Sequence, residues 1–147
     1  MVELLVVIAL IGILLSIATF GFSQYSRKSQ MTNQTKLLYG DLMEYRTKAM
    51  YEKKNWTFKI SAAGYGIYSS SDITVAPVST VVFKHPVDSN ISKIEFDNHG
   101  VTRNLGTICI DSANEAAVDS VVISTTRVQI GKKKEGVSCA ADNIDAR

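Results

Sequence analysis

The stretch Val2-Glu-Leu-Leu-Val-Val-Ile-Ala-Leu-Ile11, continuing Gly12-Ile-Leu-Leu-Ser-Ile-Ala-Thr-Phe20-Gly-Phe22, decides how the chain folds. Between Leu4 and Phe22 no residue is charged, and only Ser16 and Thr19 carry a polar side chain. As a helix these positions span about 28 Å, close to the hydrocarbon thickness of a bilayer. A secretory signal peptide would open on basic residues and close on small ones. Here an acid, Glu3, stands where the basic region should be, and Phe20-Gly-Phe22 closes the run. The segment therefore reads as a membrane anchor or as a helix buried in an assembly. Glu3 is its informative residue, because an ionisable group at the edge of an apolar helix is costly unless it is solvated or has a function.

Beyond the run the pattern becomes amphipathic. Met31, Leu38, Leu42, Tyr45 and Ala49 fall on one helical stripe, which Leu37, Met43 and Met50 widen. No proline separates the stripe from the apolar run, since the only prolines are Pro77 and Pro86. The spacing predicts one helix from residue 2 to about 53, apolar all round in its first half and on one side in its second. After Asn55 the period shortens to two. Strands are expected at 56–60, 65–68, 80–84, 91–96, 106–110, 120–125 and 127–130, with turns at 62–64 and 97–100 and a loop at 69–75. No long helix follows Asn55, so the sheets should be antiparallel. The expected fold class is α+β, a long N-terminal helix packed through its second half on an antiparallel β domain. The expected divisions are residues 1–24, 25–54 and 55–147.

Composition agrees with this split. The 147 residues hold 46% hydrophobic side chains and a net charge of +2. Disordered, collagenous and disulfide-dense classes are excluded. The charge balance gives no general argument for an acidic partner. His85 stands before a proline and His99 in a turn. Neither has the neighbours of a nucleophile or a metal site, and no glycine-rich phosphate loop follows a strand. An enzyme, a metal and a cofactor are not expected. Lys132-Lys133-Lys134 is the one basic cluster outside the helix. It could contact phosphates, but Glu135, Asp142 and Asp145 lie close by, and a solvated surface run is the favoured reading.

Val2-Glu3-Leu4-Leu5-Val6-Val7-Ile8-Ala9 with Ile11-Gly12-Ile13-Leu14 resembles the N-terminal signature of type IV pilins and pseudopilins. The stretch from Ile94 through Gly106–Ile110 and Val121–Ser124 to Arg127–Ile130 is similar to the pseudopilin H (GspH) and FimT/FimU-like minor-pilin branch. That branch often carries a Gly-Arg pair before its last strand, where this chain has Thr126-Arg127. The resemblance implies a structural subunit of a type IV pilus or a type II secretion pseudopilus. It would be cleaved by a prepilin peptidase, methylated, held as a single pass in the bacterial inner membrane, and polymerised through its helix by an assembly platform. Its partners would be copies of itself or related pilins, in a periplasmic pseudopilus or an extracellular pilus. By the family register two mature residues ahead of Met1 are absent. The basic residues from Arg27 to Lys54 would by themselves keep the C-terminal bulk cytoplasmic, whereas the family topology exports it.

The resemblance also gives residues roles. Glu3 would be buried in the helix bundle and answered by the N-terminal amine of a neighbouring subunit. Gly12 matches a family glycine where the helix can loosen, although the family's frequent proline near Phe20 is missing. In an exported domain Cys109 and Cys139 would meet an oxidising compartment, which favours a bridge tying an otherwise loose tail to the sheet over two free thiols. Two rival readings stand beside this one. The first is a DNA-binding minor pilin acting through Lys132, Lys133 and Lys134. The second is a membrane-tethered exported domain that binds a small ligand and never assembles.

Overall fold

This computed structural model describes residues 2–110 and 116–146, and within the helix every side chain except those of Leu5, Leu14 and residues 17–21. Helix α1 runs unbroken over Val2–Glu52. With no proline inside it, its i→i−4 ladder is never interrupted. It stops at Lys53, which takes φ +54, the left-handed conformation that closes many helices and that glycine more often supplies. The strands that follow are β1 (Trp56–Ser61), β2 (Gly64–Tyr68), β3 (Ser79–Val82), β4 (Val87–Ser89), β5 (Lys93–Phe96), β6 (Gly106–Ile110), β7 (Ser120–Ile123), β8 (Val128–Lys133) and β9 (Ile144–Ala146).

The strands form two antiparallel sheets, ordered β3-β2-β1-β5 and β4-β6-β7-β8-β9. Alternation sets which face is buried. Phe58 sits opposite Ile67 on β2 and Ile94 on β5, and Ile60 opposite Tyr65, so one face of the first sheet is apolar. Helix α1 lies against β7 and β8 as well as β1 and β5, and the two sheets share one core beneath it. Phe58, Phe96, Leu38, Leu42, Ile94, Ile108 and Ile123 are its large, fully buried members. Tyr45 extends this core into an aromatic group, 4.7 Å from the Trp56 ring and 5.7 Å from Phe58.

Several expectations need correcting. Leu37 does not widen the buried stripe: it lies one position before Leu38, turned about 100° from it, and is 65% exposed. The gap in the stripe between Met31 and Leu38 is filled instead by two buried polar residues, Gln34 and Thr35. Pro86 ends one extended stretch, but β4 begins immediately after it, because a proline just ahead of a strand takes no N–H from its ladder. The tail is not loose. A 3-10 turn, Ala141–Asn143, leads into β9, which pairs with β8. Gly131 permits that pairing, since a Cβ there would fall 2.5 Å from Ile144 Cγ2.

Candidate functional site

No described side chain of the first half of α1 is buried. Its described apolar side chains stand open, Val2 at 74%, Leu4 at 67% and Phe22 at 72% exposure, with Ile8, Ile11, Ile13 and Leu15 each half or more exposed. The described core begins only at Met31. Ser16 hides its polarity by donating to the Ile13 carbonyl at 2.7 Å, so it costs little in apolar surroundings. At Gly12 a Cβ would meet nothing within 4 Å; packing inside this chain does not require the glycine. Glu3 is exposed. Among the described residues, those that leave out Leu5, Leu14 and 17–21 of this segment, no helix is long and apolar enough to cross a membrane.

The second half of α1 is fastened to the sheets by polar anchors that hydrophobic periodicity does not reveal. Gln34 accepts from the backbone N–H groups of Lys84 (2.9 Å) and His85 (3.0 Å), and its Nε2 donates to the His85 carbonyl at 2.8 Å. One amide thus satisfies three backbone groups of the segment between β3 and β4. Thr35 Oγ1 lies 3.1 Å from the Met31 carbonyl and 3.3 Å from that of Val118. Arg46 Nε donates to the Gly100 carbonyl at 2.8 Å. That fixes the 97–100 turn, where Gly100 takes φ +72 and a Cβ would strike Met50. Tyr65 donates to Asp41, and burial, then this carboxylate, pushes its phenol far above the ordinary range. Beside these anchors a cavity of about 170 Å³ opens, lined by Gln30, Asn33, Gln34, Leu37 and the 81–84 segment.

The other expected residues lie elsewhere. Cys109 and Cys139 are bonded, with Cα atoms 5.9 Å apart, and the bridge joins β6 to the segment just ahead of the 3-10 turn. Lys132 and Lys133 belong to β8. Lys132 sits opposite Asp145 on β9, and Lys134 Nζ lies 3.7 Å from Asp145 Oδ1. The lysine run is therefore interleaved with acid. The Lys133 amide donates to Asp119 Oδ1 at 2.7 Å. Asp119 is fully buried, and nothing in its sequence neighbourhood marks it out. His99 stands exposed in its turn, its amide held by Asp97 Oδ1 at 2.8 Å. His85 is held through its backbone by Gln34. Among the described residues no three His, Cys, Asp or Glu side chains come together as a metal site.

A long helix packed through its second half on antiparallel sheets is the architecture of the type IV pilin fold. The chain is similar in structure to the type IV minor pilin FimU of Pseudomonas aeruginosa strain PAO1, seen in two crystal forms. In one, the TM-score is 0.58 at 15% identity, over 72% of this chain and 91% of that one. In the other it is 0.51 at 17% identity, over 67% and 90%. At such identities the likeness establishes the fold. No protein-family model matches the chain, and no curated protein matches it.

Proposed function

We propose that the chain is a structural subunit of a type IV pilus or of a type II secretion pseudopilus, and not an enzyme. The observation that carries this reading is the uncharged, exposed half-helix on a domain whose core is complete without it. Each such side chain gains on the order of 1–2 kcal/mol when fully buried. Water is thus the wrong final environment for this helix, and lipid or other helices are the right one. Residues 1–24 serve as membrane segment and then filament core, 25–54 as the connecting half-helix, and 55–147 as the surface domain. The inner membrane holds the subunit before assembly. A prepilin peptidase and an assembly platform act on it, and Glu3 and Gly12 serve the helix contacts. Export of the domain agrees with the Cys109–Cys139 bridge. No observation favours DNA binding, since the lysine run is answered by Asp145.

The test is Glu3→Ala in cells, with sheared surface or periplasmic filaments quantified by antibody against the β domain. A filament subunit loses at least about tenfold in filament yield, because a carboxylate in an apolar bundle contributes through its partner. Equal function of the two proteins, with no filament from either, would point to the tethered ligand-binding domain.

A further inference from the structure

We propose that Asn90, in the turn between β4 and β5, is an acceptor site for an N-linked saccharide on the exported domain. The inference rests on the export reading above. The triplet Asn-X-Ser/Thr, with X not proline, is the acceptor sequence for transfer of a sugar to an asparagine amide, and it marks nothing until the fold shows the residue within reach. The chain holds it at Asn33-Gln34-Thr35, Asn55-Trp56-Thr57 and Asn90-Ile91-Ser92. The fold closes the first two. Asn33 lies inside α1, and Thr35 is 1% exposed with its hydroxyl on the Met31 and Val118 carbonyls. Asn55 gives its Nδ2 to Ser71 Oγ at 3.0 Å and to Glu95 Oε1 at 2.9 Å, and Thr57 is fully buried. The third stands open: Asn90 and Ser92 are both exposed and lie outside the strands.

The local geometry suits the substitution. The Asn90 N–H donates to the Thr107 carbonyl at 3.2 Å, and Asn90 Oδ1 accepts from the Thr107 N–H at 2.7 Å, so backbone and side chain are both set against β6. Gly106 makes room for this, since a Cβ there would fall 2.8 Å from Asn90 Oδ1. Among the described residues Asn90 Nδ2 makes no hydrogen bond, and an N-glycosidic bond forms at that atom while leaving Oδ1 its role as acceptor. In the transfer, Nδ2 attacks the anomeric carbon of a polyprenyl-diphosphate-linked oligosaccharide. The bond from that carbon to the diphosphate oxygen breaks, the polyprenyl diphosphate leaves with the electron pair, and a base of the transferase takes one Nδ2 proton. Asp88, exposed two residues ahead, offers a charge for a basic acceptor groove to read, whereas Lys53 and Lys54 precede Asn55. A shallow groove of about 280 Å³ lies beside Asn90, lined by Leu105, Thr107 and Ala141 among others. It receives the first sugar, whose apolar face covers Leu105, itself 58% exposed.

The test uses the full chain, isolated from cells that carry an N-oligosaccharyltransferase and its polyprenyl-diphosphate-linked oligosaccharide, digested with trypsin and read by mass spectrometry. Peptide 85–93 should carry the oligosaccharide at Asn90, and peptides 29–36 and 55–59 should be bare. Ser92→Ala leaves Asn90 and its bond to Thr107 in place and should lower occupancy at least about tenfold, and Ser92→Thr should restore it. Asn90→Asp keeps the acceptor oxygen that holds the turn and should abolish the modification without changing the unfolding midpoint. A bare peptide 85–93 in a wild-type chain whose Cys109 and Cys139 are bonded overturns the site. Occupancy that ignores Ser92→Ala overturns it too, and sugar on peptide 29–36 or 55–59 overturns the selection by the fold. A bare peptide together with free thiols at both cysteines overturns the export reading, and this site with it.

Discussion

Gln34 shows how much one side chain can decide. It lies on the buried face of α1 at a position where periodicity calls for an apolar residue, and its amide meets two N–H groups and one carbonyl of residues 84–85. That segment leaves β3 and enters β4 past Pro86, so it has no ladder of its own to satisfy these groups. Gln34→Ala leaves them facing a partly closed groove, at a cost of about 1–3 kcal/mol. For a chain of this size the midpoint of thermal unfolding, followed by circular dichroism, should drop by roughly 4–8 °C. An unchanged midpoint would mean that water replaces the amide and that the clamp is not structural. Neither Gln34 nor Thr35 was legible in the sequence, because a polar residue on a helix reads as solvent-facing until its partner is known, and those partners lie about 50 and 80 residues away. Glu3 stands out in the sequence for the opposite reason: a lone charge beside an apolar run needs no partner in view to be anomalous.

Among elements, legibility followed length and period. Helix α1 was readable almost to its last residue, from the absence of proline, the uncharged run and the stripe Met31–Leu38–Leu42–Ala49. The longer strands were readable because alternation over five or six residues is distinctive: β1 and β6 begin where expected. Strands β4 and β9 have three residues each, too few to show a period, and both exist because a neighbouring strand offers an edge. The tail is held twice, by the β8–β9 ladder and by the Cys109–Cys139 bridge across 30 residues. Closing a loop of that size stabilises by about 3–4 kcal/mol in the chain-entropy account. Cys109→Ala with Cys139→Ala should therefore lower the unfolding midpoint by roughly 10 °C, and dithiothreitol should do the same to wild type while leaving the double variant unaffected. Amide exchange in β9 should quicken more than in β7, since β9 has a neighbour on one side only. Equal quickening in both strands would show that the bridge stabilises the whole domain and does not act as a local tie.

At the scale of the molecule the division of labour is between a core one chain completes and a surface it cannot. Everything buried among the described residues lies from Met31 onward, and both sheets close their apolar faces against the second half of α1. The described side chains of the first half are all exposed, so in isolation they contribute little to the stability of the domain and much to its association. A chain beginning at Tyr25 should accordingly fold. Its unfolding should remain a single cooperative transition, with a midpoint within about 3 °C of the full chain in mild detergent, because no core side chain has been removed. Sedimentation should find it monomeric without detergent, whereas the full chain should associate. The retained turns of helix before Met31 will fray, since short helical ends lack packing, but the anchors at Gln34, Thr35 and Arg46 lie beyond the frayed part. A truncated chain that is unfolded would mean that the apolar half-helix supports the domain from within the subunit. One that still self-associates would move the assembly contact from the half-helix to the sheet surface, where the uncovered strand β3 and its exposed Val82 would be the place to look.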